Sequence, residues 1–407
     1  MRQMGILTLI GKNLRYRPLL PGLVIALAAV SIGLATAVLL LASGLQQGIA
    51  RAAGPFPLVA GAKGSPYQLV LNTVFLQDVP IGNVPASLVD ELQGNPLVEA
   101  AVPLGFGDNY RGIRIVGTTA ELFSWKNGGQ TEPWLRIAEG RAFTAPFEAV
   151  LGAAAAAENH LQLGDTFQSS HGVVHSQDAA AHAQPFTVVG ILQPLAAPYD
   201  RSILVSMESL YAVHAHGAAE AAGEPDAAEH GVTAVLVRPR GYQAAMQLAG
   251  QFSRSPAAQL VFPSQSILRF FALLGNSEKL LRIIAAAVIG MAFLILGCSL
   301  YWSALARRRE YAVLHAIGAS GQQLRRLIFG EGMLQGIAGI LLGLLLGHGA
   351  FWLLASLVSG STAIGLQAGF PAAEAVLFLL SLLVAGLASL LPAHYLLRGD
   401  IAALLRE

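Results

Sequence analysis

The chain has 407 residues, of which 54% are hydrophobic and 12% are charged, and its formal net charge is +1. A soluble protein of this length normally carries charge on about a quarter of its residues, so the composition excludes a wholly soluble protein. The near-neutral charge also argues against nucleic acid as a partner, because proteins that bind it usually present a strongly basic face.

Residues 1–18 are predicted to form a helix that lies on the cytoplasmic membrane surface. Apolar residues recur with a helical period between Met4 and Leu14, and Lys12 and Arg15 lie among them. A basic amphipathic segment of this kind is typical of an interfacial helix.

Four uncharged apolar runs are each long enough for a transmembrane helix, which needs about 20 such residues. They cover residues 19–46, 283–306, 332–358 and 375–397. An alternative for the first run is a cleaved signal peptide, but the run is longer than the apolar region of such a peptide, about 7–15 residues. We therefore predict four transmembrane helices.

The basic residues determine the predicted orientation, because short loops rich in Lys and Arg stay on the cytoplasmic side. Residues 1–18, the 307–331 loop and the 398–407 tail carry Lys or Arg, whereas the 359–374 loop carries neither. We therefore expect a multi-pass protein of the inner membrane with both termini in the cytoplasm and residues 47–265 in the periplasm.

Residues 47–265 have the mixed composition of a globular domain. Short β-prone runs bounded by Gly, Pro or Asp predict strands at 98–104, 111–117, 186–192, 202–205 and 233–237. Short helices are predicted at 85–93, 153–160, 207–213 and 242–252. The predicted fold class is an α-helical membrane protein with an α+β domain inserted between its first two transmembrane helices. Residues 266–282 keep a helical apolar period up to the second span and predict a stalk helix.

Most of the histidines lie in the predicted periplasmic domain, and several of them have carboxylates nearby. Imidazole and carboxylate groups are ligands for zinc and nickel, so zinc is a candidate cofactor. The alternative is that these histidines belong to solvated, low-complexity surface insertions. No His-Glu-x-x-His motif or Ser-His-Asp grouping is apparent, so a metallohydrolase stays an alternative without a catalytic motif. The candidate metal ligands are His171, His175, His182, His214, His216 and His230.

The 307–331 loop predicts a short amphipathic helix, a break at Gly318 and a second helix that starts at Ser320 and continues into the third span. Basic residues that directly follow a span usually anchor its topology, and we interpret Arg307 and Arg308 in this way. The apolar faces of the two helices contain Tyr311, Leu314, His315, Leu324, Leu327 and Ile328.

This loop resembles that of the FtsX-like permeases of the MacB superfamily, the type VII ABC transporters. The resemblance lies in Arg309-Glu-x-Ala-Val-Leu-x-Ala-Ile-Gly-Ala-Ser320 and in Glu331 at the foot of the next span. The segment Asp400–Arg406 looks like the family's tail, Asp-Pro-x-x-Ala-Leu-Arg, and Leu163–Phe167 followed by Phe186–Leu192 is similar to strands of its periplasmic core. Departures are Ile401 in place of Pro, Tyr311 in place of an aliphatic residue, and the His-rich insertions.

The resemblance implies a non-catalytic permease subunit whose loop docks on a separate ATP-binding cassette ATPase, which binds ATP and Mg²⁺. The sequence itself contains no Gly-x4-Gly-Lys-Ser/Thr motif. Two permease copies, as a homodimer or as close homologues, would pair with two ATPases. The residues implied in ATPase coupling are Arg309, Glu310, Tyr311, Leu314, His315, Ile317, Gly318, Ala319, Ser320, Arg325 and Glu331.

The function implied is motion of the periplasmic domain, driven by ATP hydrolysis, that extracts or exports a lipid, lipoprotein, peptide or toxic small molecule. The alternative on the same scaffold is a signal transmitter that regulates a periplasmic partner such as a cell-wall hydrolase. Membrane lipids and a periplasmic adaptor or substrate-binding protein are further expected partners.

Small residues recur every three or four positions in the third span and predict a smooth face that permits close helix contact. Packing within the chain and contact with a second copy are both open interpretations of this face. His348 and His394 lie in or beside spans, where an ionisable group is a candidate for function unless it is neutral and hydrogen-bonded. The packing glycines are Gly332, Gly336, Gly339, Gly343 and Gly347.

Overall fold

The structure is a computed structural model that describes residues 18–128, 131–172, 181–213, 231–273, 277–362, 366, 369 and 372–396. The predicted interfacial helix, except for residue 18, and the 398–407 tail lie outside these described residues. The chain separates into two compact units. The helical unit comprises residues 1–45, 276–357 and 367–407, and the inserted domain comprises residues 46–275 and 358–366.

All of the described strands lie between the first and second long helices, where they alternate with short helices. In chain order the helices are α1 (Leu19–Ala53), α2 (Pro66–Thr73), α3 (Ser87–Gly94), α4 (Ala153–Asn159), α5 (residues 207–213), α6 (Tyr242–Arg254), α7 (Pro263–Leu273), α8 (Ser277–Ala306), α9 (Arg308–Ala316), α10 (Gly321–Thr362) and α11 (Ala372–Leu396). The strands are β1 (Leu58–Gly61), β2 (Val84–Pro85), β3 (Val98–Tyr110), β4 (Ile113–Thr118), β5 (Ile137–Gly140), β6 (Glu148–Leu151), β7 (Thr166–His171), β8 (Ala181–Leu192), β9 (Ser202–Ser206), β10 (Gly231–Val232), β11 (Ala234–Pro239) and β12 (Gln259–Val261).

Among the residues that the structure describes, four helices, α1, α8, α10 and α11, are long and apolar enough to cross a membrane. Serines inside these helices can satisfy their hydroxyl groups locally, which suits an apolar surrounding: Ser381 and Ser389 donate to the carbonyl oxygens four residues earlier, at 2.7 and 2.6 Å. Ala28, Ile32 and Leu296 lie at the centre of the core that these helices share. The predicted fold class, four apolar helices with an α+β domain inserted after the first, is confirmed.

The inserted domain is built on one ten-stranded sheet, in which β12, β1, β11, β3, β4, β9, β6, β8 and β5 are neighbours in that order, and β7 pairs with both β3 and β8. The pairs β4–β9 and β6–β8 are parallel. Strand β3 is 13 residues long and links the two halves: its first part pairs with β11 and its second part with β4 and β7.

The structure shifts the boundaries of two predicted strands, since one runs further than predicted and the next begins later. The strand predicted at 98–104 continues to Tyr110, and the next strand begins at Ile113 because Arg111 and Gly112 form a turn with positive φ angles of 48° and 83°. Positive φ at both central residues is the conformation that suits a tight hairpin. The stalk predicted at 266–282 falls in α7 and α8, on either side of residues 274–276, which the structure does not describe.

Candidate functional site

The loop between α8 and α10 has a defined conformation that its sequence explains. Helix α9 ends in a left-handed turn, where Gly318 has φ +104° and the amides of Gly318 and Ala319 donate to His315 and Leu314. This pattern satisfies the last carbonyls of a helix and favours glycine at that position. Helix α10 then begins with a reciprocal cap, because the Ser320 hydroxyl accepts from the Gln323 amide and the Gln323 side chain accepts from the Ser320 amide.

A buried ionic network attaches α9 to the start of the third span. Arg307 Nη1 lies 2.7 Å from Glu331 Oε2, and their side chains are only 9% and 3% exposed. The Tyr311 hydroxyl donates to the same Glu331 oxygen at 2.8 Å, and Arg307 Nε donates to Glu310 Oε2 at 2.9 Å. Because the two charges are desolvated, they are stable only as a pair.

Burial and nearby charges keep the Arg307 and Tyr311 side chains of this network protonated. Burial lowers the pKa of the Arg307 guanidinium, but Glu331, Tyr311 and Glu310 together raise the pKa by more, so the net change is upward. Burial, and then the same carboxylate, raises the pKa of Tyr311 above its ordinary range. Tyr311 therefore stays a hydrogen-bond donor at any physiological pH.

The predicted coupling residues divide into a buried and an accessible group. Tyr311 and Glu331 are buried in the network, and a small core of Leu324, Leu327 and Ile328 supports Tyr311. The structure leaves Arg309, Ile317, Gly318, Ser320 and Arg325 exposed, and leaves Glu310, Leu314, His315 and Ala319 partly buried.

Sequence reasoning missed two residues of this loop. Arg307, interpreted as a topology anchor, is a buried partner of Glu331. Val313 is 51% exposed and lies four residues before Ile317, which is 76% exposed. Residues four apart share a helix face, so a helical projection of the loop would have placed both on one accessible apolar stripe.

The glycines of the third span contact other helices of this same chain. A Cβ added to Gly339, Gly343 or Gly347 would lie 2.5 to 2.8 Å from side chains of α1. A Cβ added to Gly332 or Gly336 would meet Ser389 or Ala385 of α11. The structure thus fills this face by packing within the chain.

His348 does not lie alone among the apolar helices. Its Nδ1 is 3.0 Å from the Leu344 carbonyl oxygen, and its Nε2 is 3.5 Å from Glu374 Oε1 at the start of α11. His394 is exposed near the end of the same helix. His348 therefore joins the third and fourth long helices.

Two of the six candidate metal-ligating histidines lie within the described residues, and the structure brings them together. His182 Nε2 lies 3.3 Å and His171 Nδ1 lies 3.8 Å from Oδ1 of Asp108, a fully buried residue of β3. His175, His214, His216 and His230 lie outside the described residues. Sequence reasoning missed Asp108 because it ended the predicted strand at residue 104; an acidic residue inside a longer β-prone run is the signal that would have found it.

Comparison with known proteins assigns both parts of the chain. The model of the MacB-like periplasmic core domain matches residues 22–252, and the model of the FtsX-like permease C-terminal region matches residues 282–401. A search of curated proteins finds no match.

Two solved structures are similar to the inserted domain. The extracellular domain of the noncanonic ABC-type transporter YknZ from Gram-positive bacteria is 15% identical, with a TM-score of 0.30, and the match covers 50% of this chain and 98% of that one. The periplasmic region of MacB from Actinobacillus actinomycetemcomitans is 10% identical, with a TM-score of 0.33, and the match covers 54% of this chain and 95% of that one. Family membership follows from the two sequence models, which together span most of the residues: the chain belongs to the FtsX/MacB-type family of ABC transporter permeases.

Proposed function

We propose that this permease subunit receives motion from a separate ATPase through the 307–331 loop and passes it to the third span. The observation that carries the proposal is the buried Arg307–Glu331 pair, which joins the loop to α10. A docking helix transmits displacement to a span only if its attachment to that span does not yield under the load. The pair provides such an attachment, because separating it would leave a desolvated charge without its partner.

The accessible stripe of α9 is the proposed docking surface. Val313 and Ile317 expose 51% and 76% of their surface outside the helix segments apolar enough to span a membrane. Arg309 lies one helical turn before Val313 on the same face and is exposed. An exposed apolar patch with a charged rim is typical of a protein interface. On this assignment Tyr311 and Glu331 position the helix, and Arg309, Val313 and Ile317 contact the ATPase.

The rest of the proposal concerns the assembled transporter. Two permease copies pair with two ATPases, both termini lie in the cytoplasm, and the inserted domain works in the periplasm. Closure of the ATPases on ATP moves this domain, which extracts or exports a lipid, lipoprotein, peptide or toxic small molecule. The size of the inserted domain favours substrate handling over signal transmission to a periplasmic hydrolase.

The docking surface can be tested with Ile317→Glu, assayed in lipid nanodiscs with the ATPase that copurifies with the wild-type protein. We expect the variant to insert normally but to bind the ATPase at least about tenfold more weakly, because the added carboxylate is desolvated at the interface. ATPase stimulation should fall in parallel. The matched control is Ile317→Leu, which keeps an apolar side chain at the same position and should behave as wild type. Full binding and stimulation by Ile317→Glu would show that this stripe is not the docking surface.

A further inference from the structure

Three potential metal ligands converge at one end of the sheet in the inserted domain. Asp108 lies in β3, His171 is the last residue of β7, and His182 is the second residue of β8. One ligand atom from each lies within 4.8 Å of the others. The group lies in the inserted domain, whereas the proposed docking surface lies in the helical unit, so an inference from the group is independent of the proposed function.

The distances fit a tetrahedral metal ion. Zinc binds imidazole nitrogen and carboxylate oxygen at about 2.0–2.2 Å, which places two ligands of a tetrahedron about 3.3–3.6 Å apart. Asp108 Oδ1 is 3.3 Å from His182 Nε2 and 3.8 Å from His171 Nδ1. Small rotations of the His171 ring would therefore bring the three atoms to bonding distance of one ion.

The protein holds the carboxylate in place. Asp108 lies where the pairing of β3 with β4 is irregular, between Phe106 and Asn109, and such irregularities redirect side chains. The Ser169 hydroxyl donates to Asp108 Oδ2 at 3.3 Å, which leaves Oδ1 facing the two imidazoles. A hydrogen bond to the second oxygen of a ligating carboxylate is a usual feature of metal sites.

The backbone next to His171 is also fixed. Asp108 and His171 are paired residues of β3 and β7, and Asn109 Nδ2 donates to the Gly172 carbonyl at 2.7 Å. The amide of Gly172 donates in turn to the Gly107 carbonyl at 2.8 Å. The site therefore rests on paired strands, where ligand positions are more precise than on free loops.

The buried carboxylate of Asp108 is a site that a cation fits. A fully buried carboxylate is costly unless a positive charge or hydrogen bonds compensate it. His182 is 17% exposed and His171 is 68% exposed, so the group opens to solvent on the His171 side. Two imidazoles and one carboxylate suit zinc better than calcium or magnesium, which prefer oxygen ligands alone.

We propose that Asp108, His171 and His182 bind a zinc ion whose fourth ligand is an exchangeable water on the exposed side. Three protein ligands with one open position distinguish such a site from a closed structural zinc site, which has four. Bound zinc would join β3, β7 and β8 at this end of the sheet.

The proposal is tested by titrating the full-length protein in detergent with Zn²⁺ against a fluorescent chelator. We expect one zinc per chain. Zinc affinity should fall by more than about 100-fold in Asp108→Asn and in His182→Gln, because each removes a proposed ligand. It should fall by about tenfold in Ser169→Ala, which removes only a hydrogen bond to a ligand. The matched control is His160→Asn, which removes an exposed histidine of the same domain at a left-handed position that asparagine tolerates.

A further variant separates loss of the site from loss of the fold. Because the His171 side chain is largely exposed, His171→Gln should keep the thermal unfolding temperature of the metal-free protein and still lose zinc affinity by more than about tenfold. The proposal would be overturned if the single variants His171→Gln and His182→Gln both bound zinc as tightly as the wild-type protein. It would also be overturned if the wild-type protein bound zinc no more tightly than tens of micromolar.

Discussion

The buried Arg307–Glu331 pair predicts that replacing both residues destabilises the helical unit less than replacing either one alone. Replacing Glu331 by Met leaves the buried guanidinium with Glu310 as its remaining carboxylate, at 2.9 Å from Nε. Removing one partner of a buried ion pair lowers the free energy of unfolding by about 3–5 kcal/mol. Because Glu310 still compensates part of the Arg307 charge, we expect a loss of about 3 kcal/mol for Glu331→Met. Arg307→Met leaves Glu331 with the Tyr311 hydroxyl and should cost about 4 kcal/mol on the same basis.

The double variant Arg307→Met/Glu331→Met removes both charges together. Replacing a buried ion pair by apolar side chains of similar volume is often neutral, so the double variant should be at least about 2 kcal/mol more stable than either single one. Glu310 then loses its contact with Arg307, but its side chain is 35% exposed and can be hydrated.

The stability of the helical unit can be followed by a dye on Cys298. This residue is the only cysteine, is exposed, and lies in α8, so the label reports on the helices and not on the inserted domain. The control is Arg326→Met, the same chemical change at an exposed position of the loop, which should stay within about 0.5 kcal/mol of wild type. If the loss in the double variant equals the sum of the two single losses, the two charges are not coupled and the attachment of α9 has another origin.

Three further predictions concern packing, pH and capping. Gly343→Ala should destabilise the helical unit by about 1–3 kcal/mol, whereas Gly349→Ala, with open space around it, should be neutral or stabilising; equal effects would refute the packing. Hydrogen bonds, first of all from Arg141, lower the pKa of Glu148 from 4.5 to about 2. The ionised Glu148 side chain therefore stabilises the fold fully above pH 4.5, and this stabilisation is lost as the pH falls towards 2. Glu148→Gln should therefore flatten the curve of unfolding temperature against pH in that window, and an unchanged slope would contradict the reasoning. Ser320→Ala should lower the free energy of unfolding of the helical unit by about 1 kcal/mol, measured with the same dye on Cys298. An unchanged free energy would mean that the cap is not formed.

Features that depend on local chemistry could be predicted from the sequence. The long helices follow from uncharged apolar runs, because the thickness of a bilayer sets their length. The turn at Gly318 and the helix start at Ser320 follow from residue types that satisfy the free backbone groups at helix ends. Both signals act within a few neighbouring residues, and a single sequence displays them.

Features that depend on distant partners could not be predicted. The positive-inside rule indicates on which side Arg307 lies, but not that Glu331, 24 residues later, neutralises it. The glycine spacing in the third span fits any close neighbour, and only the fold identifies α1 and α11. Asp108 escaped prediction because the partners that make it notable, His171 and His182, lie more than 60 residues away and meet it only through strand pairing.

The continuity of β3 determines how this domain can be exchanged between permeases. One unbroken strand from Val98 to Tyr110 supplies hydrogen bonds to both halves of the sheet. A chimera with its junction inside residues 98–110 would combine two half-sheets whose registers were never matched. Junctions for such an exchange therefore belong outside this strand, and the two halves of the sheet should be transferred as one piece.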